Sequence, residues 1–483
     1  MFLLLIFVLI SLSMPIYRVC LHPLRKYPGP RWWAIWRGPY LISSIRGTIV
    51  RDIQHLHDQY GPVVRIAPDE LSYITPDAAK TIYTSHPEFP KDPMHLPPFH
   101  NGAAGILAAD HAHHRRYRRL LAHAFSDKGL RAQQGMIQRH VDRLIARLLD
   151  SCSSGPVDMT VWFNWATFDI IGDLAFGESF GCLEKMETHP WIASIQGNVK
   201  AIPILNAFRR YGLDRLVGLL APPRLMEMRR QNAQFTAEKV DRRLQHATTT
   251  RGDLWDSVLV GTTDGEPPMS RAEMVSNASA IVLAGSETSA TLLSGCIWLL
   301  LTNPEHLQQL TRRIRARFNK AAAINAQTVG QIDGLQAVIE ESLRLYPPVP
   351  MQSNRIVPAP GASIAGVWVP GGTSVAVQQF AACRSPTNFH RPEQFRPGRW
   401  QGDGEFVADR RDVFQPFSLG PRNCIGRQLA FAEIRLILVH LLWHFDLRLD
   451  ETRMRGRDWL GEQGVWILWD KHPLWVMLEK KRR

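Results

Sequence analysis

The chain has 483 residues, of which 45% are hydrophobic and 21% charged. That is ordinary globular usage, and it excludes wholesale disorder, collagen-like repeats and a polytopic membrane protein. Lysine plus arginine number 57 against 44 acids, a net charge of +13, which suits an acidic partner or a membrane surface without implying nucleic acid.

Met1 to Tyr17 carries no charge. As a helix it would reach about 25 Å, a short membrane span. Arg18, Arg25, Lys26 and Arg31 follow at once, and cationic flanks stay on the cytosolic side. This predicts a transmembrane anchor over 1–17 with the rest of the chain facing the cytosol. The alternative, a cleaved secretory signal, lacks a basic start and a small-residue cleavage site. Tyr27-Pro28-Gly29-Pro30 makes residues 18–31 a basic, proline-rich hinge. No repeat, low-complexity run or long linker divides 32–483, which predicts one large domain. Cys20, Cys152, Cys182, Cys296, Cys383 and Cys424 form no C-x-x-C pair, which argues against a disulfide framework and for a reducing compartment.

Val63 to Ile66 and Glu70 to Ile74, separated by Pro68-Asp69, predict a hairpin. His111 to Arg147 predicts a helical stretch with nine arginines and lysines against Asp127 and Asp142. Aromatic residues are too sparse there for a nucleic-acid surface, and a solvated basic face is the simple reading. Ser270-Arg271-Ala272-Glu273 is a capping-box pattern. The helix it opens runs to about Thr302, where Asn303-Pro304 stops it, and would be about 45–48 Å long. Its flanks are apolar, yet Gly285-Ser286-Glu287-Thr288-Ser289 sits at mid-length. A buried carboxylate must be paired, hydrated or protonated, and an interior glycine costs about 1 kcal/mol. A functional notch accounts for both costs; a polar stripe packed under a loop is the alternative. Asn277-Ala278-Ser279 fits a glycosylation sequon, but on this buried helix. Glu341 and Arg344 stand three apart and can pair on one helix face. A second hairpin is predicted from Ser363–Val369 and Ser374–Gln379 around Pro370-Gly371-Gly372. The chain is predicted to end in a solvated tail over 478–483.

Residues 414–426 form a loop before an amphipathic helix predicted from about Ile425 to His444, so Cys424 sits at a helix N-terminus. The free N–H groups there favour an anion and lower a thiol's pKa. Gly420 permits a tight turn, Gly426 lets the backbone approach a flat group, Arg422 offers donors to a carboxylate, and Phe417 can shield the sulfur. One thiolate without a second metal ligand is poor zinc chemistry and good haem chemistry.

Phe417, Gly420, Arg422, Cys424 and Gly426 match every fixed position of F-x-x-G-x-R-x-C-x-G, the signature of the cytochrome P-450 superfamily, which this chain therefore resembles. Ala284-Gly285-Ser286-Glu287-Thr288 is similar to the family's oxygen-binding A-G-x-[DE]-T, Glu341 to Arg344 to its E-x-x-R, and Phe395 to Trp400 to its F-x-P-x-R-[FW]. The resemblance implies a mainly α fold with a small β subdomain, preceded by one anchor helix. It implies haem b, with Cys424 as the axial thiolate to iron and with Arg118, His114 (where the family has tryptophan), Arg355 and Arg422 toward its propionates. Glu287 and Thr288 would relay protons, and Glu341, Arg344 and Arg399 would lock the haem-side core. It further implies insertion of one oxygen atom of O2 into a lipophilic small molecule, with electrons from NADPH through an external cytochrome P-450 reductase, at the endoplasmic reticulum membrane. Gly61 to Ser72 resembles fungal microsomal members that tailor secondary metabolites, such as the trichothecene hydroxylase group, which points to a terpenoid or polyketide intermediate. A haem-dependent isomerase or dehydratase of the same fold, and a catalytically silent membrane-bound haem protein, are the alternatives.

Overall fold

The computed structural model describes residues 13–94, 101–213, 223–245, 253–260 and 267–481. Of the expected anchor, residues 1–12 therefore lie outside the described residues. The principal helices, in chain order, are α1 (Gly38–Arg46), α2 (Ile49–Tyr60), α3 (His111–Ala122), α4 (Asp127–Ser151), α5 (Met159–Phe176), α6 (Pro190–Arg210), α7 (Arg271–Leu301), α8 (Leu335–Leu345) and α9 (Arg427–His444).

Helix α7 is the axis of the molecule. Its 31 residues start where the capping box predicts: Ser270 Oγ accepts from Glu273 N at 3.3 Å, and Ser270 N donates to Glu273 Oε2 at 2.8 Å. Among the described residues it is the one helix long and apolar enough to cross a membrane, but 78% of its apolar window is buried inside the protein. Helices α5, α8 and α9 pack around it. Helix α5 is apolar on nearly every side, as a helix enclosed by protein requires. Asn277 is fully buried, and its Oδ1 accepts from Ile106 N at 2.8 Å, so the sequon is a core contact. The basic stretch is two helices. Ser126 accepts from Gly129 N at 3.2 Å and caps α4, which restarts the backbone after α3.

The first hairpin forms as predicted: β1 (Val63–Ala67) and β2 (Glu70–Tyr73) are antiparallel, with an irregularity between Arg65 and Ala67. Two further expectations need correction. Strand β5 (Gly361–Ile364) turns back into β6 (Val367–Pro370) at Ala365 and Gly366, both at positive φ, the geometry that a two-residue hairpin turn demands. Strand β7 (Ser374–Val377) instead pairs parallel with β2 and antiparallel with β4 (Arg355–Ile356). Its four residues are all buried, so it is the inner strand of a four-stranded sheet. The C-terminal segment is no solvated tail: β11 (Trp475–Lys480) pairs with β8 (Phe445–Leu449) and with β3 (Val157–Asp158), and Leu478 is buried.

The hinge is fastened to β1 and β6. Arg65 N donates to Pro28 O at 2.8 Å, and Tyr27 OH donates to Trp368 O at 3.0 Å. A Cβ on Gly29 would stand 2.5 Å from Arg65 O, so only glycine lets the hinge approach β1.

Glu273 links α7 to α3. Besides closing the capping box it pairs with Arg116 and accepts from Tyr117 OH at 2.9 Å. Burial works against its charge, but these hydrogen bonds from Arg116, Ser270 and Tyr117 pull the carboxyl down to about 2 from 4.5. Glu273→Ala should cost about 1–2 kcal/mol at neutral pH in denaturant unfolding. Because the folded-state pKa is depressed, that contribution is complete above pH 4.5 and lost as pH falls toward 2. The stabilities of variant and parent should therefore converge across that window.

Candidate functional site

The loop before α9 is closed by its own backbone: Cys424 N donates to Phe417 O at 2.8 Å. Gly420 has φ +70, and a Cβ there would stand 2.0 Å from Tyr83 O, so the turn needs glycine for conformation and for space. Helix α9 begins at Arg427, three residues after the cysteine. The Cys424 thiol is pushed up by burial, with the Gly426 N–H, Arg118 and Arg427 pulling the other way. The helix start alone therefore does not ionise it, which corrects the expectation of a lowered thiol pKa; a metal ion must complete the work. Yet Cys424 carries exposed surface, so its sulfur borders a space rather than packed side chains. A Cβ on Gly426 would lie only in ordinary contact, 3.9 Å from Cys424 Sγ and 3.8 Å from Phe125, at a negative φ. Nothing among the described residues demands glycine here, which leaves room for a flat group beside the sulfur. The Phe417 ring packs on Phe431 with centroids 5.1 Å apart and shields the loop from α9's side.

On α7, Ala284 is exposed and Thr288 half-buried in the middle of an otherwise buried helix. The Thr288 hydroxyl donates to Ala284 O at 2.5 Å, which leaves its oxygen free to accept. Gly285 serves packing: a Cβ would stand 2.7 Å from the Ile171 side chain on α5. The notch therefore has two sides, a glycine that admits α5 and an Ala284–Thr288 face that borders open space. Glu287 is paired, with Lys471 Nζ 2.7 Å from its Oε2.

The predicted cations gather at one rim. Arg422 donates to Glu88 Oε1 and to Ala109 O, each at 2.7 Å. Arg118 donates to Asn423 O at 2.5 Å and also to Asn423 Oδ1. Arg355 is buried over the Tyr83 ring, and His114 is buried on the inner face of α3. Burial, then Arg422, Lys91 and Arg118, push His114 down to about 4 against the pull of Glu88. Among the described residues four basic side chains, Lys91, His114, Arg355 and Arg422, thus share Glu88 as the acid they face or border, and Arg118 stands beside His114. Such an excess calls for an anion of at least two charges.

Glu341, Arg344 and Arg399 form a separate, fully buried cluster. Arg344 holds Glu341 through two bonds of 2.9 and 2.8 Å, Arg399 Nε lies 3.0 Å from Glu341 Oε1, and Trp400 Nε1 donates to Glu341 Oε2 at 2.9 Å. Burial would raise the Glu341 carboxyl, but Arg344 and Arg399 outweigh it and hold it below the ordinary range. Arg344 also ties down Cys383 O and Gln394 O. The three residues that were expected to lock the core are buried and paired with one another; Asp409, which pairs with Arg399, was not anticipated.

Three further residues escaped the sequence reading. Lys91 lies beside Arg355 through a β-bridge and donates to Leu107 O at 2.6 Å. Burial, then Arg355 and Arg422, push it down to about 7. No motif marks it. Burial pushes the Glu433 carboxyl of α9 up to about 8 despite a hydrogen bond with Ser289 of α7, so a neutral acid joins the two helices that flank the site. An acid at a core position of an apolar helix was its signal. Lys471 lies in a tryptophan-rich segment that gave none.

The residues present fit a haem. One sulfur with surface to spare, a glycine beside it, an open Ala284–Thr288 face and a cationic rim match an axial thiolate and two propionates. Among the described residues no group of three or more His, Cys, Asp and Glu side chains could hold a bare metal ion.

Comparison with known proteins agrees. A family model described as Cytochrome P450 matches residues 27–460. The chain is 80% identical over 477 residues to cytochrome P450 monooxygenase stcF of Emericella nidulans, covering 99% of each chain. It is 72% identical over 469 residues to the averantin hydroxylase of Aspergillus parasiticus, covering 97% of this chain and 95% of that one. The averantin hydroxylase of Dothistroma septosporum is 64% identical over 470 residues, covering 97% and 89%.

If Lys91 belongs to the rim, Lys91→Met should speed haem loss to a scavenging apoglobin by about tenfold, the value of one lost charge-assisted hydrogen bond. The same change at exposed Lys80 should leave the rate unaltered.

Proposed function

The chain belongs to the cytochrome P450 family, and from that premise we propose that it hydroxylates averantin or a closely similar polyketide intermediate, drawing electrons from NADPH through cytochrome P-450 reductase at the endoplasmic reticulum membrane. The enzyme is a haem-dependent monooxygenase. The observation that carries the substrate is the near full-length identity to two averantin hydroxylases, at 72% and 64%.

Bound haem supplies the chemistry of O2 cleavage: R–H + O2 + 2 e⁻ + 2 H⁺ → R–OH + H2O. The chain's own residues do the rest. Cys424 would bind the iron through its sulfur, beside the packed Phe417 and Phe431 rings. Arg118, His114, Arg355 and Arg422 would hold the propionates, and Lys91 would join them. Glu287 takes protons from solvent, and Thr288, its oxygen free to accept, passes them toward the O2 site. Loss of that proton supply would lower the share of NADPH spent on product. Arg115, Lys128, Arg131, Arg139 and Arg143 stand exposed along α3 and α4, which supports docking of an acidic electron donor there. Exposed Met14, Ile16, Tyr17, Leu21, Trp32 and Trp36 continue the apolar N-terminus. They support a single-pass anchor over 1–17 with the haem domain against the cytosolic face.

Membranes carrying this chain and a reductase should convert averantin to a product that takes one atom of label from ¹⁸O2, and Cys424→Ser should abolish the conversion. No product from averantin, with turnover of other polyketides, would overturn the substrate. Thr288→Ala should keep the red-shifted Soret band of the reduced carbonyl adduct but lower product per NADPH by about tenfold, with H2O2 making up the difference. Unchanged coupling would remove Thr288 from the relay.

A further inference from the structure

The structure gives Glu287 a fixed cation and an opening to the surface, and neither belongs to the motif that drew attention to it. Lys471 Nζ lies 2.7 Å from Glu287 Oε2 and 3.0 Å from Thr291 Oγ1, one helical turn further on. The two charged side chains are 1% and 6% exposed. Lys471 follows the short hairpin of β9 (Val465–Trp466) and β10 (Leu468–Trp469). Trp469 is buried, stacks on Tyr346 with centroids 4.6 Å apart and donates to Pro347 O at 2.7 Å. Tyr346 OH in turn donates to Gln463 Oε1 at 2.5 Å. The lysine is therefore held from a braced loop and not on a free stem.

Beside this pair a cleft of about 20 Å³ is lined by Glu287, Lys200, Asp470 and the apolar faces of Val199, Leu468 and Trp466. That volume admits one water. Lys200 and Asp470 pair across it at 2.7 Å, with side chains 46% and 32% exposed, so the cleft opens to solvent between them. Consecutive residues on a helix point about 100° apart. Glu287 thus faces the C-terminal loop and the cleft, while Thr288 borders the inner space.

We propose that Lys471 is the positioning residue of a proton inlet: it holds Glu287 toward the cleft, where water loads it, and the Lys200–Asp470 pair forms the mouth. This rests on the relay reading of Glu287 and Thr288. In each pass a cleft water gives one proton to a Glu287 oxygen as it takes one from bulk solvent, so that no hydroxide remains in the cleft. Glu287 then leaves Lys471 and gives that proton to the Thr288 oxygen as the Thr288 hydroxyl proton moves inward. Two passes supply the two protons of one turnover, and no electron moves along this route. Lys471 has two effects. It stabilises the emptied carboxylate, which would otherwise be a buried unpaired charge, and it returns that carboxylate to the loading position.

The test uses the full-length enzyme with reductase. Product per NADPH, H2O2 release and the solvent deuterium isotope effect are measured beside the rate with H2O2 supplied in place of O2, electrons and protons. Lys471→Met should lower product per NADPH by about fivefold and enlarge the isotope effect. The H2O2-driven rate and the red-shifted carbonyl band should stay close to the parent. Lys471→Arg should restore most of the coupling, and Asp470→Asn should give a smaller loss of the same kind. In melting of the holoenzyme, Lys471→Met should lower Tm, and adding Glu287→Gln should recover it, as paired groups require. Equal loss of the NADPH-driven and H2O2-driven rates in Lys471→Met would mark a merely structural lysine and overturn the inlet. Parent-like coupling in Lys471→Met, with uncoupling in Glu287→Gln, would overturn the inlet and leave the relay standing. Parent-like coupling in Glu287→Gln would overturn the relay reading itself.

Discussion

Positive charge concentrated inside the protein, with too little negative charge to meet it, is the constraint on which this site depends. Lys91, His114, Arg355 and Arg422 come from distant parts of the chain and converge near one carboxylate, Glu88, with Arg118 beside His114. Burial and mutual repulsion already hold Lys91 and His114 well below their ordinary pKa values. A fold that assembles such a rim needs a partner that brings at least two negative charges. On the proposed assignment haem would bring two propionates to the rim and an iron to Cys424, whose thiol burial pushes toward the protonated form. Cofactor and protein therefore complete each other's charge.

The same economy governs α7. Its polar interruption is resolved in three directions. Gly285 admits Ile171 of α5, Thr288 borders the inner space, and Glu287 turns to Lys471. Each polar atom is met by a partner suited to its side of the helix, and the apolar residues to either side bury the remainder. The C-terminal strands, which close the sheet with β8, place a lysine against α7, almost two hundred residues earlier in the chain.

The local elements were legible where chemistry between neighbours decides structure. The capping box at Ser270 and Glu273 and the hairpin at Pro68-Asp69 formed as their residues dictate. Where partners are remote, local pattern misled. Ser374 to Val377 alternates like half of a hairpin, but its partner is β2, three hundred residues earlier, because only the inner position of that sheet buries all four residues. The basic stretch from His111 looked continuous until Ser126 capped a second helix. Leu478 looked like part of a tail until β8 lay beside it.

The sequence by itself determined the family and the chemistry. A sulfur with the right glycines, arginine and phenylalanine around it makes one short loop, and every residue of that loop lies within ten positions of Cys424. It likewise determined the Glu341–Arg344 pair, which a helix turn brings together. Tertiary structure alone decided which cations reach the rim, that Lys91 joins Arg355 there, that Glu433 faces Ser289, and that Glu287 answers to Lys471. The physical reason is range. Turns, caps and ligand loops are set by backbone geometry over a few residues, whereas the field around a buried charge is set by whichever side chains folding brings near it.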